Sequence, residues 1–564
     1  MMPLPGHFLS PTPSDQPADH RSLPRTLGWI LLLAAPALIY LAVLSSLAVN
    51  VPTGDDFFAI FGFLDRWQDP ARGSHGNLDL LFGQFYSHRI PFTRLAVLGL
   101  TALEGHCDLR LLLVLAWTGW GLLLGSLVWS RWSTREGLLW LLPVSLLLMQ
   151  PQGHTNLLVA TGSPGHAWTI LLAYWTCRLA WSPLLRQQGW VWLCATAAAF
   201  CTSNGLLLFP LVALGKFFRR QWWHGLGWLA GGTVVWGWYL RGYSTAGQPF
   251  VISNFSVWRF VTHAAVMAGS LVDFGTIKAG IVQTVGLILL LTAMLAWWRE
   301  WRDSRGRGDG TFLLFLLLSV AMIAYARSGW TADYMLQDRY RPYGLMLVTM
   351  LYLQLMGGVS PARRTMLQAA AIPLALGFNF ISYAQMDSSL LFAHRWAEAT
   401  AMNLSLDRLL PLPSAPDQSV ASGEILRKAT RRGLFRPPQL LRSNDVTMIR
   451  TLPSIPPSGP VLSWQCVENP DLFGCYLEPA GEAMPSVAPD FGVLFQGENP
   501  LILPVLFQRA RFAEILPRRS FLSDRYGFVL PGSAYAPGRH VLYAIKRTAA
   551  GKLIPLWSAF VTCP

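Results

Sequence analysis

Apolar runs of bilayer-spanning length, separated by short polar stretches, fill the first two thirds of the chain. About 20 such residues carry an α-helix across a bilayer. On that criterion the first span covers roughly 27–49, preceded by Arg21 and Arg25. Others are expected near 109–130, 137–149, 165–182, 189–203, 205–218, 223–240, 279–298, 311–329, 342–357 and 366–385, which makes eleven. The runs at 137–149, 189–203 and 205–218 are short, so they are tilted, shielded by neighbours or misplaced. Residues 1–26 read as a disordered cytoplasmic segment, and 27–385 as one transmembrane module.

Composition agrees. Hydrophobic residues make up 52% of the chain and charged ones 13%, against about 25% charged in a soluble domain. A disordered chain, a coiled coil and a single soluble enzyme are excluded. The net charge of +14 lies mostly in short loops, where basic residues orient a membrane protein rather than recruit nucleic acid. With the N-terminus cytoplasmic, every cytoplasmic segment carries at least one Lys or Arg, among them Arg131, Arg186, Lys216, Arg299 and Arg363. An odd number of spans then places everything after residue 385 outside the cytoplasm.

That tail has a different pattern. Residues 386–459 read as a helical linker region, with helices over 390–410 and 423–433, the second closed by Pro437 and Pro438. Residues 460–564 carry short apolar runs punctuated by Gly and Pro, expected to form a small β-sandwich. The runs 541–545 and 553–561 flank Ala549, Ala550 and Gly551 as a hairpin. Cys466 and Cys475 are either free thiols or a disulfide formed in an oxidising compartment.

The richest stretch is the first loop, 50–108. It opens with Gly54-Asp55-Asp56. Phe57, Ile60, Phe61, Leu64 and Trp67 then follow at helical spacing, a helix expected to lie in the interface with its apolar face inward. A second helix holds Leu78, Leu81, Phe82 and Phe85 and ends at His88-Arg89; a third starts near Pro91. Two readings of the acidic pair stand side by side. Asp55 and Asp56 cap a helix N-terminus, where negative charge is favoured. Alternatively they do chemistry. A carboxylate can take the proton of an acceptor hydroxyl, or the pair can hold Mg²⁺ or Mn²⁺, while arginine meets a departing phosphate.

The Gly-Asp-Asp segment in this position resembles the GT-C superfamily of polytopic glycosyltransferases. The chain is most similar to a bacterial group of that class marked by three further segments. Here they are Gln84-Phe85-Tyr86-Ser87-His88-Arg89, Asn204-Gly205-Leu206-Leu207-Leu208-Phe209-Pro210 and Arg339-Tyr340. Their order is kept over roughly 27–385. The resemblance implies a multi-pass bacterial inner-membrane enzyme. It would take a sugar from a polyprenyl-phosphate donor to a glycan, protein or lipid acceptor on the outer face. Asp55 or Asp56 would be the base or the metal site, Arg89 and Arg339 would contact phosphate, and His88, Asn156, Asn204 and Tyr340 would line the substrate site. The segment Gln152-Gly153-His154-Thr155-Asn156 departs from the group in lacking a Trp. The alternatives are a flippase for lipid-linked glycans, for which neither an internal repeat nor a series of buried charges is evident, and a non-enzymatic envelope assembly partner.

Remaining positions keep their simpler readings. Asn204-Gly205 suits a turn between short helices. His154 and His166 lack metal-ligand spacing. Arg339 and Arg341 either clamp phosphate or pair with Asp333 and Asp338. Arg327, near the outer end of its span, is a functional candidate by position or snorkels to the surface.

Overall fold

The structure is a computed structural model. It describes residues 22–131, 138–182, 185–244, 255–274, 278–303, 307–409, 419–452, 462–469, 474–479, 488–496, 499–509, 522–531 and 538–563. The segment 1–26 falls almost wholly outside them.

Each of the eleven predicted runs lies on a helix. Five helical stretches are long and apolar enough to cross a membrane: Leu27–Leu47, Leu109–Trp129, Ala279–Arg302, Gly308–Ala326 and Pro361–Leu404. Their outward faces carry exposed Leu38, Ile39, Leu122, Ile288, Leu291 and Leu374, the inverse of a water-facing helix and the mark of a lipid-facing one. The short run at 137–149 is instead internal. Its 3₁₀ turn Leu138–Leu141 and helix Leu142–Leu148 are almost entirely buried. Ser145 donates to the Leu33 carbonyl at 2.7 Å, and Asn379 donates to those of Leu146 and Met149.

Asn204 and Gly205 sit in a 3₁₀ segment, Ser203–Leu207, between the helices Leu185–Cys201 and Leu208–Phe218. The glycine is needed for space rather than for a left-handed turn. A Cβ at Gly205 would lie 2.1 Å from the Ala198 carbonyl carbon. A helix not foreseen from the sequence, Val257–Gly269, occupies the loop before residue 279. It spans only about 20 Å and packs backbone-to-backbone on the Ala279–Asp303 helix, where a Cβ on Gly286 would overlap the Ala265 carbonyl.

The tail departs most from expectation. The helix that carries the last apolar run does not end near 385. One helix of 44 residues runs from Pro361 to Leu404, absorbing the separate helix expected at 390. The drop in hydropathy marks a change of surroundings, not a helix end, and no proline interrupts the chain from Leu374 to Leu404. The next helix, Ser419–Arg431, stops before Gly433, which takes φ +71°.

The first-loop hairpin supplies β1 (Gln84–Phe85) and β2 (His88–Arg89). Seven further strands follow: β3 (Leu462–Asn469), β4 (Gly474–Pro479), β5 (Phe491–Gln496), β6 (Asn499–Arg509), β7 (Leu522–Pro531), β8 (Gly538–Arg547) and β9 (Leu553–Cys563). They close into a barrel in the order β3-β4-β7-β6-β5-β8-β9, in place of the expected sandwich. The closing β3–β9 pair is parallel and the others antiparallel. Arg547 pairs with Leu553 across the foreseen hairpin. Cys466 stands opposite Leu477 and Cys475 opposite Glu468, so the two cysteines are not cross-strand partners; their side chains lie outside the described residues.

The long helix grips this barrel through polar contacts. Buried Asn403 donates to the Ile502 carbonyl at 2.8 Å and accepts from the Ile502 amide at 2.9 Å, completing both main-chain bonds of that residue. Glu398 meets Arg547 at 2.9 Å, and Asp490 meets Arg395 at 2.9 Å. Replacing Asn403 with Leu leaves two buried backbone groups unmet, each costing about 1–3 kcal/mol. Limited proteolysis of Asn403→Leu is therefore expected to cut the barrel well before the helical module.

Candidate functional site

The site is built from the ends of elements far apart in the chain. Gly54, at φ +50°, turns the chain after the first helix so that the two acids diverge. Asp56 is buried and faces inward. One oxygen accepts from the Thr53 amide at 3.0 Å and hydroxyl at 3.4 Å; the other accepts from the Thr161 amide at 2.8 Å and hydroxyl at 2.5 Å. Burial raises its pKa to about 6, opposed by the hydrogen bonds from Thr161 and Thr53. Asp55 is exposed, and its carboxylate makes no hydrogen bond or contact ion pair among the described residues. Partial removal from water raises its pKa, while Arg339 pulls it down.

The capping reading of the pair therefore does not hold. Asp56 bonds backwards to Thr53 and across to Thr161, and caps no amide of the π-turn Phe57–Phe61 that follows it. The four donors also use the four acceptor positions of its carboxylate. A divalent cation would find Asp55 alone, so the adjacent pair does not fit a metal site.

Phe57, Ile60, Phe61 and Leu64 do share one buried face. That face is covered by the Ser419–Arg431 helix and by Phe435, whose ring meets Phe61 at 5.0 Å, rather than lying against the interface. Lys428 and Arg432 fix the arrangement through Asp65, at 2.7 and 2.8 Å. The second helix of the loop ends at Leu81, and 84–89 forms the small hairpin instead of continuing it. Exposed Tyr86 takes φ +49° at its tip, a conformation uncommon outside glycine.

Arg89 is built into the scaffold. Its guanidinium donates to the main-chain carbonyls of Phe82, Tyr239 and Arg241, and its amide donates to the Tyr239 hydroxyl at 3.0 Å. This anchors the hairpin and points His88 at Ser203, 3.2 Å from Nδ1 to Oγ. Burial, then the proximity of His166, Arg327 and Arg339, lowers the His88 pKa to about 3, so the imidazole is neutral. Asn204 is likewise internal, donating to the Tyr343 hydroxyl at 2.8 Å. Asn156 lies in the short helix Thr155–Leu158, with its side chain outside the described residues.

The segment 338–341 separates its two arginines. Arg341 is buried and paired, with Asp273 at 3.2 Å and Asp338 at 3.4 Å; Asp338 also meets His154 at 3.3 Å. Arg339 has no carboxylate in contact among the described residues. It donates to the Tyr334 hydroxyl and lies 5.2 Å from the centres of both the Tyr334 and Tyr340 rings, and its buried Nε has no partner among the described residues. Arg327 approaches the same Tyr334 ring, at 5.9 Å. His166 adds a buried Nδ1 with no partner among the described residues. Asp55, His88 and His166 thus each lie within electrostatic reach of Arg339, and His88 also of Arg327. Such an arrangement has the chemistry to hold an anion beside a proton acceptor. Tyr334, Thr161 and Ser203 were not legible as participants, because each acts on a partner distant in sequence or through its ring.

Because Asp56 ties the first loop to the helix ahead of His166, Asp56→Ala is expected to lower the unfolding temperature of the detergent-solubilised protein clearly. The cost is about 3 kcal/mol for a buried, charged hydrogen-bond acceptor, whereas Asp55→Asn should leave that temperature unchanged. No protein-family model, curated protein or solved structure matches the chain in comparisons of sequence and fold.

Proposed function

We propose that the protein is a GT-C-type glycosyltransferase of a bacterial inner membrane, with the acidic loop and the barrel on the outer face. It transfers a sugar from a polyprenyl-phosphate donor to an acceptor hydroxyl of the cell envelope. The observation that carries this reading is the exposed Asp55 carboxylate standing within the field of Arg339, a guanidinium that meets no other acid among the described residues.

In this mechanism Asp55 takes the proton of the acceptor hydroxyl. The acceptor oxygen bonds to the anomeric carbon as the bond from that carbon to the phosphate oxygen breaks. The negative charge arriving on the lipid phosphate is met by Arg339 and Arg327. Tyr334 fixes Arg339 by accepting its hydrogen bond, and the neutral His88 is free to bond a sugar or acceptor hydroxyl without competing for the phosphate. Arg89 acts at one remove, by holding the hairpin that carries His88. Being exposed, Asp55 returns its proton to water after transfer. Asp56 stays outside the chemistry and sets the position of its neighbour.

Two outcomes test this. Asp55→Asn should reduce transfer from a labelled polyprenyl-phosphate sugar by about 10²–10⁴-fold, the usual contribution of a general base; full activity in that variant would falsify the assignment. The pH profile gives a second readout. Arg339 favours the ionised form of Asp55, so Arg339→Gln should move the acid limb of the activity profile towards higher pH as well as lower its maximum. An acid limb that stays in place, or moves to lower pH, would separate Arg339 from Asp55.

A further inference from the structure

A groove opens between the Ser22–Leu47 and Leu109–Trp129 helices and reaches in to Leu157 and Leu345. Gly121 on its rim is exposed, as are the neighbouring Leu38 and Leu122, so the opening faces the lipid side of the bundle. Its inner end is closed by Gly153 and Pro342, beside the segment that carries Arg339. The lining side chains are almost all hydrocarbon, and four carry a polar atom: Tyr40, Trp117, Trp120 and Gln150. The Tyr40 hydroxyl, Trp120 Nε1 and Gln150 Nε2 are all buried, and none has a hydrogen-bond partner among the described residues. The residues themselves are only 2%, 8% and 2% exposed.

Buried polar atoms are nearly always paired, and three orphans lining one groove are a cost the fold bears unless something else fills their valence. The neighbouring Trp117 shows the ordinary state, its indole donating to the Leu157 carbonyl at 2.9 Å. The side-chain oxygen of Gln150 is already used, accepting from the Gln152 main-chain amide at 2.8 Å. Tyr40 is held edge-on to Tyr383, with ring centres 6.5 Å apart. What the groove wants is therefore an acceptor within an apolar molecule. Among the described residues no Lys, Arg, Asp or Glu lines it, so its complement is uncharged rather than a phosphate. An isoprenoid chain offers hydrocarbon but no acceptor. The ester carbonyls of a diacyl glycerolipid offer uncharged acceptors at the head of two hydrocarbon chains.

We infer that this groove is a binding site for the glycerol-ester region of a diacyl glycerolipid. Tyr40, Trp120 and Gln150 donate to its carbonyl oxygens, and its acyl chains leave between the two helices. The inference stands apart from the transferase reading, since it uses neither Asp55 nor Arg339.

The test is native mass spectrometry of the full-length protein, delipidated in detergent and titrated with three probes. These are dioleoyl phosphatidylglycerol, its dialkyl ether analogue and a polyprenyl phosphate. The diester should be retained about fivefold better than the diether, the worth of one or so net hydrogen bonds. That preference should fall to near parity in Tyr40→Phe/Gln150→Met, while its unfolding temperature stays close to that of the unaltered protein. Equal retention of diester and diether by the unaltered protein overturns the site, as does a preference that survives the double substitution. Displacement of the diester by equimolar polyprenyl phosphate overturns it too. If the double variant does not fold, the diester–diether comparison decides alone. In Asp55→Asn the ester preference should persist whether or not transfer activity is lost, which keeps the two proposals separable.

Discussion

A single buried carboxylate holds the site together. Asp56 sits in the protein interior with four donors on its two oxygens, and two of them come from Thr161, 105 residues further on. A buried charge is tolerated only when its hydrogen bonds are made in full. The cost of leaving any of these donors unmet therefore locks the first loop to the start of the Gly162–Leu179 helix. Asp55 then has one place to go, outwards, because its neighbour has taken the inward direction and Gly54 permits the turn. Two adjacent acids, alike in sequence, are thereby made unlike in surroundings.

The arginines divide in the same way. Arg89, Arg94 and Arg341 are buried and spend their donors on carbonyls or acids, while Arg327 and Arg339 contact no carboxylate among the described residues. A guanidinium fed by main-chain carbonyls or acids has a structural task; one without them keeps donors for a ligand. The first-loop helices are shaped by the tail as well. The Ser419–Arg431 helix roofs the apolar face of 57–64, and Asp65 is pinned from above by Lys428 and Arg432. The region after the last span is thus part of the site's enclosure and not only an appendage.

These divisions explain what was legible in the sequence. Helix positions followed from apolar run length, since a helix in lipid must be apolar over its whole span. The barrel's last hairpin followed from small residues between two apolar runs. The carboxylates, His88 and Arg339 stood out in the sequence for the chemistry their residue types can do at a membrane surface. Which acid faces in, and which arginine is spent, was not legible, because that depends on Thr161, Phe82, Tyr239 and Asp273, residues brought close only by folding. The helix at 257–269 was missed because it is too short to span and its first turns are polar or exposed. The end of the last helix was misread because hydropathy reports the solvent around a helix, not its continuity.

That continuity has a mechanical result. The Pro361–Leu404 helix is a rod about 66 Å long, with one end clamped into the barrel at Asn403 and the other flank against the greasy core, Tyr383 edge-on to Tyr40. A tug on the barrel by any bound macromolecule is handed down the shaft as tilt or rotation, with no loop between to absorb it. Pro373 interrupts the ladder of hydrogen bonds within the apolar half, so that is where the shaft would flex, and levering there would widen or narrow the crevice beside Tyr40.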